Sequence, residues 1–263
     1  MRRARRPPSG RTPRHGASRL IDHFEQQSAR CTGIEELRSL LGNVTRELGF
    51  TYFALLHHAS LGAQATRCIR LDNYPEDWER ELLAHHEWTE DPVHAASRRA
   101  LIGFRWSDLG ALVELSAVQQ RILEGSRRHG LGEGYTVPAN IPGEPAGSCS
   151  FATRSGQALP EDRLLCAEQV GAHAFQVARR LRGLARPAAR ARLSRRELQC
   201  LRLLAAGKSD WEISVILGIS SETARQYVKH ARAVYDVVTR TQLVVHGLRD
   251  ALISFEDAIP PDG

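Results

Sequence analysis

Near the C-terminal end of the chain, apolar residues recur at helical spacing in three short runs, each closed by a break. Leu198, Leu201 and Leu204, with Ala205, make the stripe of a first helix. Ser194 followed by Glu197 forms a capping box at its start, the hydroxyl meeting an orphan N–H while the carboxylate reaches back. Gly207 stops it, because glycine enters the left-handed C-terminal conformation freely. Ser209 caps a second helix with Ile213, Ile216 and Leu217 on its core face, and Gly218 ends it after about two turns. Ser220 or Ser221 opens a third, which carries Ala224, Val228, Ala231 and Tyr235 inward.

The rest of the chain alternates helices with short strands. Leu20 to Ala29 reads as a helix, and Thr32 with Glu35 as a capping box for a second one bearing Leu37, Leu40, Leu41, Val44 and Leu48. Phe50 to His57 and Thr66 to Leu71 are strands. Asn73-Tyr74-Pro75 makes a turn, with Pro75 suited to the first position of a helix carrying Trp78, Leu82 and Leu83. Asp91-Pro92 breaks that helix and starts a short one through Ala100; Leu101 to Trp106 is extended or irregular. A helix from Ser116 to His129 is followed by Gly130, Gly132 and Gly134. Strands Tyr135 to Ile141 and Ser148 to Thr153 then flank a turn built on Pro142-Gly143 and Pro145. Pro160 to Leu184 is a long helix with Leu164, Ala167, Ala174, Phe175, Ala178 and Leu181 inward. The expected class is α+β: an N-terminal α-β-α sandwich around an antiparallel sheet, then an all-α domain. Residues 1–18 form a disordered basic tail, 19–182 the first domain, 183–192 a linker, 193–253 the second domain and 254–263 a flexible tail.

At 263 residues the chain suits two domains. No apolar run approaches a membrane span, and the Arg-rich N-terminus has no apolar stretch behind it, so no secretory signal is expected. Five scattered cysteines without a C-x-x-C pair argue against a disulfide framework and a zinc site, and for a reducing cytoplasm. The net charge of +6 has a local source: Arg2, Arg3, Arg5, Arg6, Arg11 and Arg14 meet no acidic residue in the first eighteen positions, and the remaining chain carries 30 charges of each sign. That tail reads as a solvated extension or as an arm toward DNA.

The third C-terminal helix turns Arg225, Gln226, Lys229 and Arg232 outward, led by Ser221, Glu222 and Thr223. Two short helices joined by a glycine turn, the second with a basic outer face, describe a helix-turn-helix, although a small bundle with a solvated charged face has the same pattern. The residues Arg196-Glu197, Gly207-Lys208-Ser209, Glu212-Ile213, Ile216-Leu217 and Thr223, at these spacings, resemble the DNA-binding domain of LuxR-type transcription regulators. The resemblance implies a fourth helix, and Thr239 to Ile253 reads as one, apolar at Leu243, Val244, Leu248, Ala251 and Leu252. Lys208, Arg195 and Arg196 become candidates for phosphate contacts. Thr223, Arg225, Gln226, Lys229 and Arg232 become candidates for the DNA face.

In the first domain, Trp78 and Leu82 share a helix face, and Asp91 and Trp106 lie in loops beyond it. Such a set offers apolar surface, an N–H donor and an acceptor to a small amphipathic molecule, though a Trp also serves as plain core and Asp-Pro as a helix N-cap. This region resembles the autoinducer-binding domain of LuxR-type quorum-sensing receptors, with Trp78, Asp91-Pro92-Val93, Trp106 and Gly134 at matching positions. The resemblance implies an N-acyl-homoserine lactone as the small-molecule autoinducer. Trp78 would donate to its lactone carbonyl, Asp91 accept its amide N–H, Trp106 pack on its ring and Gly134 allow a close backbone approach. Two departures stand out. Leu82 occupies a Tyr position, and Ala152 the place of a strand Ser or Thr. Ser150 and Ser148 are the candidates to replace the latter, Trp88 or His86 the former.

The expected protein is therefore a ligand-responsive transcription regulator without enzymatic activity, cofactor or metal, acting in the cytoplasm. Its expected partners are double-stranded DNA, a second copy of itself, the autoinducer and RNA polymerase, with no membrane. A LuxR-type regulator without a partner synthase, answering a non-lactone small molecule, is the alternative. A phosphorylation-driven response regulator is remote, because the apolar run Phe53 to Leu56 leads into His57-His58 and not into an Asp. An enzyme on lactones or amides would need a G-x-S-x-G elbow, a metal set or a Cys-His pair. The adjacent pairs His57-His58 and His85-His86 make poor ligand sets.

Overall fold

A computed structural model describes residues 13–58, 68–84, 87–184 and 193–259, in two compact units. The first unit opens with α1 (Pro13–Arg30) and α2 (Ile34–Glu47). α1 starts earlier than the expected Leu20, inside the Arg-rich stretch, and its first residue is a proline, which the first helical turn accepts. The cap of α2 is shifted by one residue from the expected box. The Thr32 N–H and hydroxyl donate to the two carboxylate oxygens of Glu36, each at 3.0 Å, so Glu36 and not Glu35 is the partner. Those bonds hold the Glu36 carboxyl below its ordinary range.

Next come β1 (Tyr52–His57), β2 (Arg70–Asp72), α3 (Glu76–Ala84), a 3-10 turn (Glu87–Glu90) and α4 (Pro92–Ser97). Pro75 precedes α3: its carbonyl accepts from the N–H groups of Trp78 and Glu79. Then follow β3 (Phe104–Arg105), a 3-10 turn (Trp106–Asp108), α5 (Leu109–Leu112), α6 (Ala117–Arg128), β4 (Leu131–Ala139), β5 (Gly147–Arg154) and α7 (Leu164–Leu181). β4 begins before the expected Tyr135 and takes in Gly132 and Gly134, with an irregular register between Leu131 and Gly134. At Gly132 a Cβ would lie 2.5 Å from the Arg154 carbonyl oxygen, so that strand pair closes only on glycine. α7 stops at Leu181, which is half-buried, and its expected first turn is a 3-10 turn over Glu161–Arg163.

The strands form one antiparallel sheet in the order β2-β1-β5-β4-β3. Alternation sorts β5 into two faces. Cys149 and Phe151 meet α7 at Gly171, while Ser148 and Ser150 face the opposite side, where α3, α4 and α6 pack. Across the sheet, Ser150 aligns with Ala54 on β1 and Thr136 on β4; Ser148 aligns with Leu56 and Pro138. With α1, α2 and α7 on one face and the shorter helices on the other, the unit is an α-β-α sandwich.

The second unit is all helical: α8 (Arg195–Ala205), α9 (Asp210–Leu217), α10 (Ser221–Val234), α11 (Arg240–Arg249) and the short α12 (Phe255–Ala258). Ser194/Glu197, Ser209/Glu212 and Thr239/Gln242 are reciprocal capping boxes, and Ser220 caps α10. Gly207 and Gly218 sit at φ +77° and +64°, the left-handed region their helix ends require. Cys200, Leu201, Leu204, Ile213, Ala224, Val228, Ala231, Leu243 and Ile253 make the core. Ile216 is not part of it, being 54% exposed. In a helix apolar on nearly every side, as α9 is, periodicity does not choose the buried face; here Ser214 is buried in its place. The fourth helix ends at Arg249, earlier than expected, because Asp250 caps it and Ala251 turns to φ +53°.

Glu197 joins two of these helices. It is buried, accepts the Ser194 N–H at 2.7 Å and pairs with His230 on α10. Glu197→Ala removes the reciprocal cap on the Ser194 N–H and the tie to His230 on α10, both charge-assisted, so it is expected to destabilise this unit by about 1–3 kcal/mol, measured by thermal unfolding.

Candidate ligand cavity and nucleic-acid interface

Between the sheet and α3, α4 and α6 lies a cavity of about 140 Å³. Five of the six expected ligand residues line it: Trp78, Leu82, Asp91, Trp106 and Ser150. Three separate elements deliver the polar ones. α3 carries Trp78 inward to 5% exposure, and its indole N–H has no hydrogen-bond partner among the described residues. Asp91 caps α4, its Oδ1 accepting the Val93 N–H at 2.8 Å, while Oδ2 stands 3.9 Å from His94 Nε2. Asp91 thus holds the start of α4 and lines the cavity as well. Trp106, by contrast, uses its N–H internally, on Thr136 Oγ1 at 2.9 Å, and Thr136 Oγ1 meets Ser150 Oγ at 2.8 Å. What Trp106 offers the cavity is its ring face.

Gly134 does not line the cavity. A Cβ there would fall 2.3 Å from Trp106 Cε2, so the missing side chain makes room for the indole and not for a ligand. Ala152 is buried outside the lining, and Ser150 is the strand hydroxyl that faces inward. His86 and the side chain of Trp88 lie outside the described residues.

The hydroxyl that Leu82 lacks comes from a residue the sequence pattern assigned only to a turn. Tyr74 lines the cavity together with Asp91 and Ser150, its phenol close enough to feel the Asp91 charge. Burial, then the Asp91 and Asp72 carboxylates, push that phenol well above its ordinary pKa, so it stays protonated and able to donate. Its spacing held the signal: Tyr74 stands four residues before Trp78, as Leu82 stands four after. His94 and Ser148 also line the cavity.

On the second unit, α10 exposes Glu222, Arg225, Gln226 and Lys229 along one face. Arg225 pairs with Glu222 at 3.0 Å and stands 3.7 Å from Asp210, and Gln226 donates to Glu222 at 2.9 Å. Lys229 forms no ion pair among the described residues. Thr223 is partly drawn into the cap, its Oγ1 2.8 Å from Ser220 Oγ, and Lys208 lies 3.6 Å from Glu212 at the start of α9. Arg232 stands apart from the outward set: it is half-buried and donates to the Val238 carbonyl at 2.5 Å, bracing the turn into α11.

Residues 33–181 match the autoinducer binding domain family, and residues 191–246 match the bacterial regulatory proteins of the luxR family. The chain is similar to the HTH-type quorum sensing-dependent transcriptional regulator RpaR of Rhodopseudomonas palustris, at 28% identity over 240 residues, covering 90% of this chain and 94% of that one. It is also similar to the regulatory protein SdiA of Escherichia coli, 25% identical over 211 residues, covering 79% and 86% of the two chains. A crystal structure of SdiA shares the fold with a TM-score of 0.64 at 24% identity, covering 90% of this chain and 98% of that one. These relatives regulate transcription and are not enzymes. Two matched domains that together account for both units place the chain in the family of LuxR-type, autoinducer-dependent transcription regulators.

Proposed function

We propose that the first unit binds an N-acyl-homoserine lactone and that the second reads a palindromic operator as part of a homodimer. One observation carries the ligand reading: the Trp78 N–H, the Tyr74 hydroxyl and the Asp91 carboxylate converge on one apolar cavity. Two donors and one acceptor suit the lactone carbonyl, the amide carbonyl and the amide N–H in turn. Trp106 supplies a flat surface for the lactone ring, and Leu56, Leu82, Ile122 and Leu123 receive the acyl chain at about 0.8 kcal/mol per buried CH₂. Occupancy stabilises the folded domain by mass action. Two recognition helices then meet half-sites about one DNA turn apart, and RNA polymerase and a cytoplasmic setting go with that role.

A non-lactone ligand is the second reading. It is favoured by the structure of SdiA in complex with octanoyl-rac-glycerol, which this fold resembles with a TM-score of 0.63. Both ligands carry an acyl carbonyl, but only the lactone carries the amide N–H that Asp91 would accept. Extracting the small molecule that copurifies with the protein and identifying it by mass spectrometry separates the two.

For DNA, Arg225→Ala and Lys229→Ala are each expected to weaken operator binding by about 1–3 kcal/mol while the ligand response survives. Arg232→Ala should instead lower thermal stability by loosening the α10–α11 turn. Gel shifts at fixed salt decide the first pair. Unchanged operator affinity in both would remove α10 from the DNA contact.

A further inference from the structure

The cavity is polar at a second level, one step along the sheet from the seat described above. Ser150, beside Tyr74 and Asp91, marks the first level; Ser148 lies two residues on, facing the same way, at about 6.8 Å along an antiparallel strand. Ser148 is 1% exposed, and its Oγ sits 2.9 Å from His58 Nε2. The His58 ring stacks on that of His94 at 4.0 Å and 18°, and His94 itself lines the cavity. A chain of bare methylenes would leave this group of polar atoms dry and facing hydrocarbon, which is unfavourable without a partner.

The direction of the hydrogen bond follows from the histidine. Burial, with the charges of His94, Arg98 and His57, lowers the His58 pKa to about 2, so the ring is neutral and carries a single proton. Its Nδ1 is buried and has no partner among the described residues. A lone pair stranded there is less unfavourable than a stranded N–H, so the proton sits on Nε2 and is donated to Ser148 Oγ. The Ser148 hydroxyl hydrogen is left without an acceptor among the described residues and borders the cavity.

We propose that the acyl chain of the signal carries an oxygen acceptor, an oxo or hydroxyl group, that receives the Ser148 hydroxyl, with His58 and His94 holding that hydroxyl in place. The inference rests on the lactone reading of the seat. A separation of about 6.8 Å corresponds to roughly four to six bonds of an extended chain beyond the amide carbon, at about 1.5 Å per bond. The oxygen therefore belongs near carbons 5 to 7 and not at carbon 3.

The test titrates the full-length chain with N-octanoyl-homoserine lactone and with its derivatives bearing one oxo group at carbon 3, 5, 6 or 7, by calorimetry or ligand-induced thermal shift. The wild-type chain should bind one of the 5-, 6- or 7-oxo compounds roughly five- to tenfold more tightly than the unsubstituted one, the equivalent of one hydrogen bond. Ser148→Ala should erase that preference, so that the oxo compounds bind no more tightly than the unsubstituted one, whereas Asp91→Asn should weaken every member together. If the unsubstituted or 3-oxo compound binds the wild type as tightly as any other, the Ser148 site is refuted and the lactone seat stands. If no lactone binds, both fall. The wild-type position scan decides the matter even where Ser148→Ala does not fold.

Discussion

Tyr74→Phe should weaken the response to a lactone signal by about one to two orders of magnitude while leaving the fold intact. The substitution removes one oxygen from the wall of an existing cavity and creates no larger void. What is lost is the donor to the ligand amide carbonyl. That carbonyl enters a site where neither Leu82 nor the ring face of Trp106 can donate, so it is desolvated and left unpaired, at about 1–3 kcal/mol. Asp91→Asn should have a comparable effect through the amide N–H. It keeps an oxygen for the Val93 N–H and so keeps the start of α4, which Asp91→Ala would also lose. Dose–response curves of a reporter, read beside melting temperatures of the same variants, distinguish a ligand effect from a folding one. A Tyr74→Phe protein with an unchanged dose–response would remove the phenol from the seat.

Gly134→Ala should abolish the ligand response and lower stability by about 1–3 kcal/mol, the usual consequence of overpacking. Its Cβ would occupy the place of the Trp106 indole, 2.3 Å from Cε2 and 2.4 Å from Cδ2, with backbone on either side to prevent retreat. The ring must swing away, giving up the bond from its Nε1 to Thr136 and with it the order of the Thr136–Ser150 pair. In a Trp106→Ala background the same glycine substitution no longer meets the indole and should cost much less stability, so a double-mutant cycle isolates the clash. Strong destabilisation by Gly134→Ala in both backgrounds would refute the account.

The helix-turn-helix was legible because its signals are local. Ser194/Glu197 and Ser209/Glu212 are boxes four residues wide, and Gly207 and Gly218 announce their own backbone geometry. Ile216 was misplaced because α9 is apolar on several sides, and only packing decides which side is buried. In the first unit, period-two alternation put Ser148 and Ser150 on one face, as the sheet confirms. Tyr74 escaped because it belongs to no periodic element: it precedes α3, and its neighbours in the cavity, Asp91 and Ser150, come from distant parts of the chain. Gly134 was recognised as a place of close approach, but the approaching group, Trp106, is identified only by the contact between β4 and the turn after β3.

The pairing on α10 bears on how this protein discriminates among DNA sequences. Arg225 is already compensated by Glu222 and Asp210, and Gln226 is held by the same Glu222. On the proposed reading, a duplex must exchange those carboxylate contacts for its own acceptors, and an arginine that arrives paired displaces fewer counterions than a bare one would. Glu222 also brings negative charge toward the phosphates. Random sequence gains little from such a face, whereas a guanine presenting O6 and N7 offers Arg225 a bidentate replacement for what it gives up. The acidic residue on the recognition helix then acts against the wrong site more than it assists the right one, trading general adhesion to DNA for selectivity.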